Sequence, residues 1–361
     1  MDSFETFPEQ PEAKRLLRAA LHEGPAHAYL FHGPPGVGKR AAALAFAAEL
    51  LESPDRVLRL AHSDLYVLEP VGDQIRIDEI RAMRHDLHMR PFEAQRRVYV
   101  ILDAETMNED AADALLKDLE EPPPYAVILL VAHDVGPLPE TIRSRCQHVP
   151  FRRLSERAVR EEIETRAPAL SPEQVTALAR VSSGRLDRVV RLLDPASAKR
   201  RATLLELARD VYRDASFVPA AAAGRLLDSA AERGAAAREE AEEQLKSLDL
   251  PAREADLRLR RAQRGAEREE LLASLEELAA WYRDLVVVAA GAERAVIHFD
   301  RLPELAEDAS LERMVGAERA CEHVREAWRI FEEFNVTASL ALEALFVKLR
   351  RELATHLVFE S

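Results

Sequence analysis

One segment limits the possible folds of this chain more than any other. It is Gly33-Pro-Pro-Gly-Val-Gly-Lys39-Arg40, which directly follows the apolar run Ala28-Tyr-Leu-Phe31 and precedes a helix-forming stretch. Glycines in such a loop let backbone N–H groups converge on a phosphate, and the lysine reaches the terminal phosphates. The loop works only with a buried strand behind it and a helix N-terminus ahead. A strand–loop–helix unit of the P-loop type is therefore expected here, with Gly33, Gly36, Gly38, Lys39 and Arg40 as its phosphate-facing candidates.

The rest of the first 150 residues agrees with such a unit. His27-Ala-Tyr-Leu-Phe31, Leu65-Tyr-Val-Leu68, Val98-Tyr-Val-Ile-Leu102 and Val127-Ile-Leu-Leu-Val131 are short and continuously apolar, as central parallel strands covered on both faces are. Helical patterns at 40–51, 78–89 and 109–121 lie between them, which makes an α/β layer fold with a parallel sheet. Asn108 is placed to cap the last of these helices, and Pro122-Pro-Pro124 stops it. Beyond Phe151 no strand is expected. Helices at 155–166, 171–181 and 185–193 form a small unit, and amphipathic helices return at 275–288 and 338–353. The stretch 230–275, rich in Ala, Glu and Arg and interrupted by Pro251, suits an exposed helical hairpin or a solvated flexible insert equally well. With 361 residues, two or three domains are expected.

Composition narrows the function. The net charge is −14, which argues against a chain that grips a phosphate backbone tightly by itself. Cys146 and Cys321 are the only cysteines, too few for a disulfide framework or a four-ligand zinc site, so no zinc is expected. The opening Met1-Asp-Ser-Phe-Glu-Thr-Phe lacks the basic and apolar regions of a secretory signal, and no apolar run is long enough to span a membrane. A reducing cytoplasm is the expected compartment.

The phosphate loop is flawed as a hydrolytic site. Its lysine should be followed by a Ser or Thr hydroxyl that holds Mg²⁺, but Arg40 stands there. The second metal element should end a later apolar strand with acidic residues. Locally, Val98-Tyr-Val-Ile-Leu102-Asp103-Ala104-Glu105 offers Asp103 as that aspartate, followed by alanine rather than a catalytic glutamate.

Several runs together resemble the bacterial clamp-loader subunits of the AAA+ family: Ile75-Arg-Ile-Asp-Glu-Ile-Arg81, Arg97-Val-Tyr-Val-Ile-Leu-Asp-Ala-Glu-Thr-Met107, Ala114-Leu-Leu-Lys-Asp-Leu-Glu-Glu-Pro-Pro123 and Pro139-Glu-Thr-Ile-Arg-Ser-Arg-Cys146. The likeness is dense over residues 5–190. In the tail, Asn335-Val-Thr-Ala-Ser-Leu-Ala-Leu-Glu343 is similar to the family's last collar helix. The resemblance implies an AAA+ core at 1–151, a helical lid at 152–195, and a helical collar at 196–361 that holds the charged insert. Within the family the pattern is that of the delta-prime type. Counting back from Ala114-Leu-Leu-Lys117 puts Leu102 in the metal-binding Asp slot and Asp103 in the Glu slot. The first sensor region reads Val131-Ala-His-Asp134, and the second sensor arginine is replaced by Asp187 in Gly184-Arg-Leu-Asp187. The family's cysteine module is deleted, since Leu50-Leu-Glu-Ser-Pro54 runs quickly to His62-Ser-Asp64.

The resemblance further implies that Arg145, in Ser144-Arg145-Cys146, is an arginine finger acting on a neighbour's ATP. Read on its own, Arg145 is a surface arginine paired with a nearby carboxylate. The implied partners are gamma/tau and delta subunits, with the sliding clamp and primer-template DNA met through the assembly. ATP or ADP held without hydrolysis is the implied cofactor. Two rivals stand beside this expectation: the gamma/tau ATPase subunit itself, and another P-loop machine that forms rings of its own kind.

Overall fold

The computed structural model describes residues 3–70, 74–246, 252–333 and 337–354. Pro251, Asn335 and Val336, which figured in the sequence patterns above, lie outside them. The chain divides into two compact units, Met1–Val175 with Ser182–Val190, and Thr176–Val181 with Arg191–Ser361.

The first unit is a five-stranded sheet with helices. In chain order its elements are α1 (Pro11–Glu23), β1 (Ala28–His32), α2 (Lys39–Leu50), α3 (Pro54–Leu58), β2 (Leu65–Leu68), α4 (Ile77–Leu87), β3 (Arg97–Ile101), α5 (Glu109–Glu120), β4 (Ala126–Ala132), α6 (Glu140–Arg143), β5 (Gln147–Pro150) and α7 (Glu156–Arg166). Every pairing is parallel, and the strand order is β2-β3-β4-β1-β5. Parallel strands need crossovers, and the intervening helices supply them. Strand alternation feeds two cores. Tyr29, Phe31, Val98, Val100, Val127, Leu129 and Val131 face one side of the sheet, while Leu30, Tyr99, Ile101, Ile128 and Leu130 face the other. Each fully buried aliphatic or aromatic side chain contributes roughly 1.5–3 kcal/mol, so the central strands hold the sheet. The helix from Glu109 starts where the sequence placed it: the Asn108 side chain accepts the Ala111 N–H at 3.0 Å.

β5 is the strand that the sequence reading did not expect. Gln147 and His148 are exposed and only Val149 is fully buried, so this edge strand lacks the continuous apolarity that marks its neighbours. It pairs with β1 in register Leu30↔His148 and His32↔Pro150. Gln10 fastens the N-terminal segment just beyond that edge. Its side-chain amide donates to the Arg152 carbonyl at 2.7 Å and accepts the Arg152 N–H at 3.1 Å.

α8 (Pro172–Ser182) and α9 (Leu186–Leu193) lie across the division in sequence. The second unit continues with α10 (Pro195–Arg213), α11 (Pro219–Leu245), α12 (Ala252–Ala289), α13 (Leu302–Asp308), α14 (Leu311–Glu333) and α15 (Ala338–Leu353). The charged stretch 230–275 is helical on both sides of residues 247–251, and Gly234 of α11 lies against Glu267 of α12. A core of Leu205, Tyr212, Leu278, Trp281, Tyr282, Phe346 and their neighbours fills the unit. Its polar groups are paired as well as buried. Asp308 is 1 % exposed, accepts from Tyr212 at 2.7 Å and forms ion pairs with Arg209 and Arg213. No helix among the described residues is long and apolar enough to cross a membrane.

Candidate functional site

The phosphate loop leaves β1 at His32 and turns into α2 at Lys39. Gly36 (φ +68°) and Gly38 (φ +95°) adopt left-handed backbone that favours glycine. The loop is therefore shaped as expected, but its lysine is turned inward. Lys39 is buried, and its ammonium donates to the carbonyls of Gly33 and Pro34, each at 2.6 Å, and to His133 Nδ1 at 2.9 Å. An ammonium has three donors, and these contacts engage all three. Burial lowers the Lys39 pKa to about 8, with Glu105, Asp103 and Asp187 acting in the opposite sense.

His133 stands just past the end of β4 and continues the chain of contacts. Its Nδ1 accepts from Lys39, so in the neutral ring Nε2 carries the proton, which faces Asp103 Oδ1 at 3.1 Å. Its backbone N–H donates to Glu105 Oε1 at 2.8 Å. Asp103 itself has φ +48°, at the start of the 3₁₀ turn Ala104–Thr106 that follows β3. Glu105 Oε2 is buried without a hydrogen-bond partner, and burial raises the Glu105 pKa. Asp103, Glu105 and His133 each bring a ligand atom within 4.8 Å of the others. Even so, the set does not fit a metal ion as arranged, because the His133 nitrogen facing the carboxylates is protonated and the Lys39 ammonium lies beside the ring.

A second group closes the loop from above. The Leu186 N–H donates to the Gly36 carbonyl at 2.7 Å. A Cβ added at Gly36 would lie 1.6 Å from Asp187 Oδ1, so the Asp187 carboxylate rests directly on the glycine. Arg185 holds that carboxylate at 2.6 Å. Burial opposes its charge, but Arg185 prevails and the Asp187 pKa is lowered. A carboxylate here has the wrong sign for a phosphate site. Arg40 points elsewhere, pairing with Glu69 at 2.6 Å with both side chains about half exposed, and Leu102 is buried. As arranged, the loop residues do not fit a nucleotide phosphate: the lysine has no free donor, and an aspartate covers Gly36.

His62 and Asp64 are tied into the fold, with the Asp64 N–H donating to His62 Nδ1 at 3.0 Å. Asp64 is buried and accepts the backbone N–H groups of Phe92, Glu93 and Ala94 at 2.7, 3.0 and 2.9 Å. Its pKa is lowered, since those three bonds and Arg97 outweigh burial.

Arg145 sits on the turn between α6 and β5. Its guanidinium donates to the Thr141 carbonyl at 2.9 Å and to Glu120 Oε1 at 2.6 Å, and its side chain is 36 % exposed. The next residue, Cys146, is buried, and burial pushes its thiol up to about 12.

The loop, Lys39, Arg40, Leu102 and Asp103 were legible from sequence. The roles of His133 and Glu105, and the seating of Asp187 on Gly36, were not. A histidine immediately after a central strand was the available signal.

A phosphate loop after the first strand of a five-stranded parallel sheet, joined to an all-helical unit, defines a P-loop protein of the AAA+ architecture. The sequence model of the family described as "DNA polymerase III, delta subunit" matches residues 9–155. The chain is 31% identical over 211 residues to DNA polymerase III subunit delta′ of Bacillus subtilis, covering 55% of this chain and 64% of that one. It is 39% identical over 136 residues to subunit delta′ of Pseudomonas aeruginosa, covering 34% and 42%. Subunit tau of B. subtilis matches at 32% over 159 residues, covering 40% and 28%. The chain thus spans less than two thirds of the length of these relatives. Among solved structures, a DNA polymerase III gamma subunit-related protein from Thermotoga maritima superposes with a TM-score of 0.49 at 17% identity, covering 94% of this chain and 99% of that one. The family model and the delta′ relatives make this chain similar to DNA polymerase III delta and delta′ subunits over those matched residues.

Proposed function

We propose that this chain is the delta-prime subunit of a DNA polymerase III clamp loader. In this reading it hydrolyses no ATP and lends Arg145 to a neighbouring gamma or tau ATPase. The assembly includes delta and places the sliding clamp on primed DNA.

The observation that carries the reading is the phosphate loop. Lys39 is engaged entirely within the chain, Arg40 and Leu102 stand where Mg²⁺ oxygen ligands are needed, and Asp187 covers Gly36. Mg²⁺ demands an octahedral oxygen shell, and two of its usual protein supports are missing. ATP or ADP held here without hydrolysis would require Asp187 to leave Gly36, so no step is assigned to a nucleotide of this chain. Arg145 is placed differently. Its ion pair among the described residues, to a half-exposed Glu120, is of the weak surface kind and is easily exchanged for a phosphoryl group of higher charge. A planar, permanently charged guanidinium suits that exchange.

Reconstitution with the gamma/tau and delta subunits of the same host tests the reading. Arg145→Ala and Arg145→Lys are expected to assemble normally. Both should slow loading of clamps onto primed DNA much more than they lower total ATP turnover, since Arg145 serves one ATP site among several. Lysine should not rescue, because it lacks the bidentate fork. Loading at the wild-type rate by both variants would overturn the proposal. Magnesium-dependent turnover by the isolated chain, lost on Lys39→Ala, would instead favour the gamma/tau reading.

A further inference from the structure

Two histidines outside the phosphate-loop chain of contacts tie that corner to the Arg145 turn. His32, the last residue of β1, immediately precedes Gly33, and His148 lies beside it on β5. His148 Nε2 is 3.1 Å from the carbonyl of Arg143. That carbonyl also accepts the Cys146 N–H at 3.3 Å, so it closes the turn on which Arg145 sits. His148 Nδ1 is 3.3 Å from His32 Nε2, with the rings at 78° and their centroids 5.1 Å apart.

We propose that His148, braced by His32, is a positioning residue for Arg145: it holds the turn Arg143–Cys146 through the Arg143 carbonyl and so sets where the guanidinium can reach. This rests on the reading of Arg145 as a finger. A carbonyl only accepts, so His148 must carry its proton on Nε2. In the neutral pair, His148 Nδ1 then accepts from His32 Nε2–H. If His148 is protonated, the shared bond survives with its direction reversed, since His32 becomes the acceptor. Two protons cannot be accommodated, because both facing nitrogens would then be donors. The charged groups around the pair deepen the restriction. Lys39 faces His32 from the start of α2, and Arg143 lies on α6. Burial, then His148, then Lys39 lower the His32 pKa. The brace therefore tolerates one proton and opens when a second enters.

Natural-abundance or labelled imidazole ¹⁵N spectra of the wild-type chain test the bond directly, and should show His148 as the Nε2–H tautomer in the neutral range. The functional test compares loading by complexes reconstituted with His148→Ala, His148→Gln and Arg145→Ala. His148→Ala should lower loading about tenfold. His148→Gln, whose amide can still donate to the Arg143 carbonyl, should restore most of it near pH 7.5. On acidification the wild-type rate should fall, and the His148→Gln profile should stay flat. An Nδ1–H tautomer, or wild-type loading by His148→Ala beside impaired Arg145→Ala, would overturn the inference while leaving the finger in place. Wild-type loading by Arg145→Ala would remove the finger, and the positioning role with it.

Discussion

The two functional corners of the α/β unit have opposite habits. At the phosphate loop the groups facing the site are paired within the chain, apart from Glu105 Oε2: Lys39 with two carbonyls and His133, His133 with Asp103, Asp187 with Arg185. At the Arg145 turn the charged group lies at the surface with one carboxylate partner. A corner that handles phosphate must leave donors unpaired until the ligand arrives, because buried polar groups find partners wherever they can. The loop corner has lost that readiness and become part of the framework. The arginine corner keeps a strong donor set behind an exchangeable surface contact.

The largest expected effect lies at the arginine corner. In well-studied GTPases a finger arginine contributes roughly 10³–10⁵ in rate. On the proposed finger reading, Arg145→Ala should therefore slow hydrolysis about 10³-fold or more at a neighbouring site, as read by single-turnover kinetics in the reconstituted loader. An unchanged rate would break the comparison.

Next comes the pH response of the loop corner. Burial holds the folded Lys39 pKa near 8 against an ordinary 10.5, so between those values the unfolded chain binds more protons than the folded one. Stability should then rise with pH across that window, by about 3 kcal/mol from this group. Urea unfolding at pH 7 and at pH 10 should show that increment in the wild type, and Lys39→Met should lose it. Equal slopes in the two proteins would mean that Lys39 is solvated rather than enclosed.

A smaller effect is expected from uncovering Gly36. Asp187→Ala removes a carboxylate from the loop and should strengthen binding of a fluorescent ADP about tenfold, or ~1.4 kcal/mol, without producing turnover, because Arg40 and Leu102 remain. No gain in affinity would show that Lys39 alone keeps the loop closed. Smallest of all is Glu120→Gln. An exposed pair of this kind contributes about 0.2–1 kcal/mol, so thermal unfolding should move by no more than about 1 kcal/mol. A loss above ~2 kcal/mol would make the Arg145–Glu120 pair part of the framework and erase the contrast.

Much of this was legible in the sequence, for local reasons. Four of the five strands, the phosphate loop and the Asn108 cap depend on runs and spacings within a few residues. β5 escaped because the exposed Gln147 and His148 interrupt its apolar run, whereas the other edge strand, β2, keeps the continuous run Leu65–Leu68. At the site, Arg40 and Leu102 could be read as missing metal ligands, since a slot shows what it lacks. What fills the gap could not be read, because Lys39 meets His133 across 94 residues and Asp187 meets Gly36 only once the chain has folded back over the loop. The His32–His148 pair escaped for the same reason: adjacent parallel strands bring together residues whose sequence separation carries no signal.

Cys146 gives the Arg145 turn a built-in reporter. Only the thiolate reacts with alkylating reagents, and with a pKa pushed up to about 12 by burial roughly one molecule in 10⁵ is ionised at pH 7. Labelling should therefore be very slow while the turn is closed, and faster whenever the segment carrying Arg145 lifts from the sheet. In a Cys321→Ala background, the maleimide reaction rate becomes a clock for that opening. Read alone, with partner subunits and with DNA added, it would time the arginine's release without any label foreign to the chain.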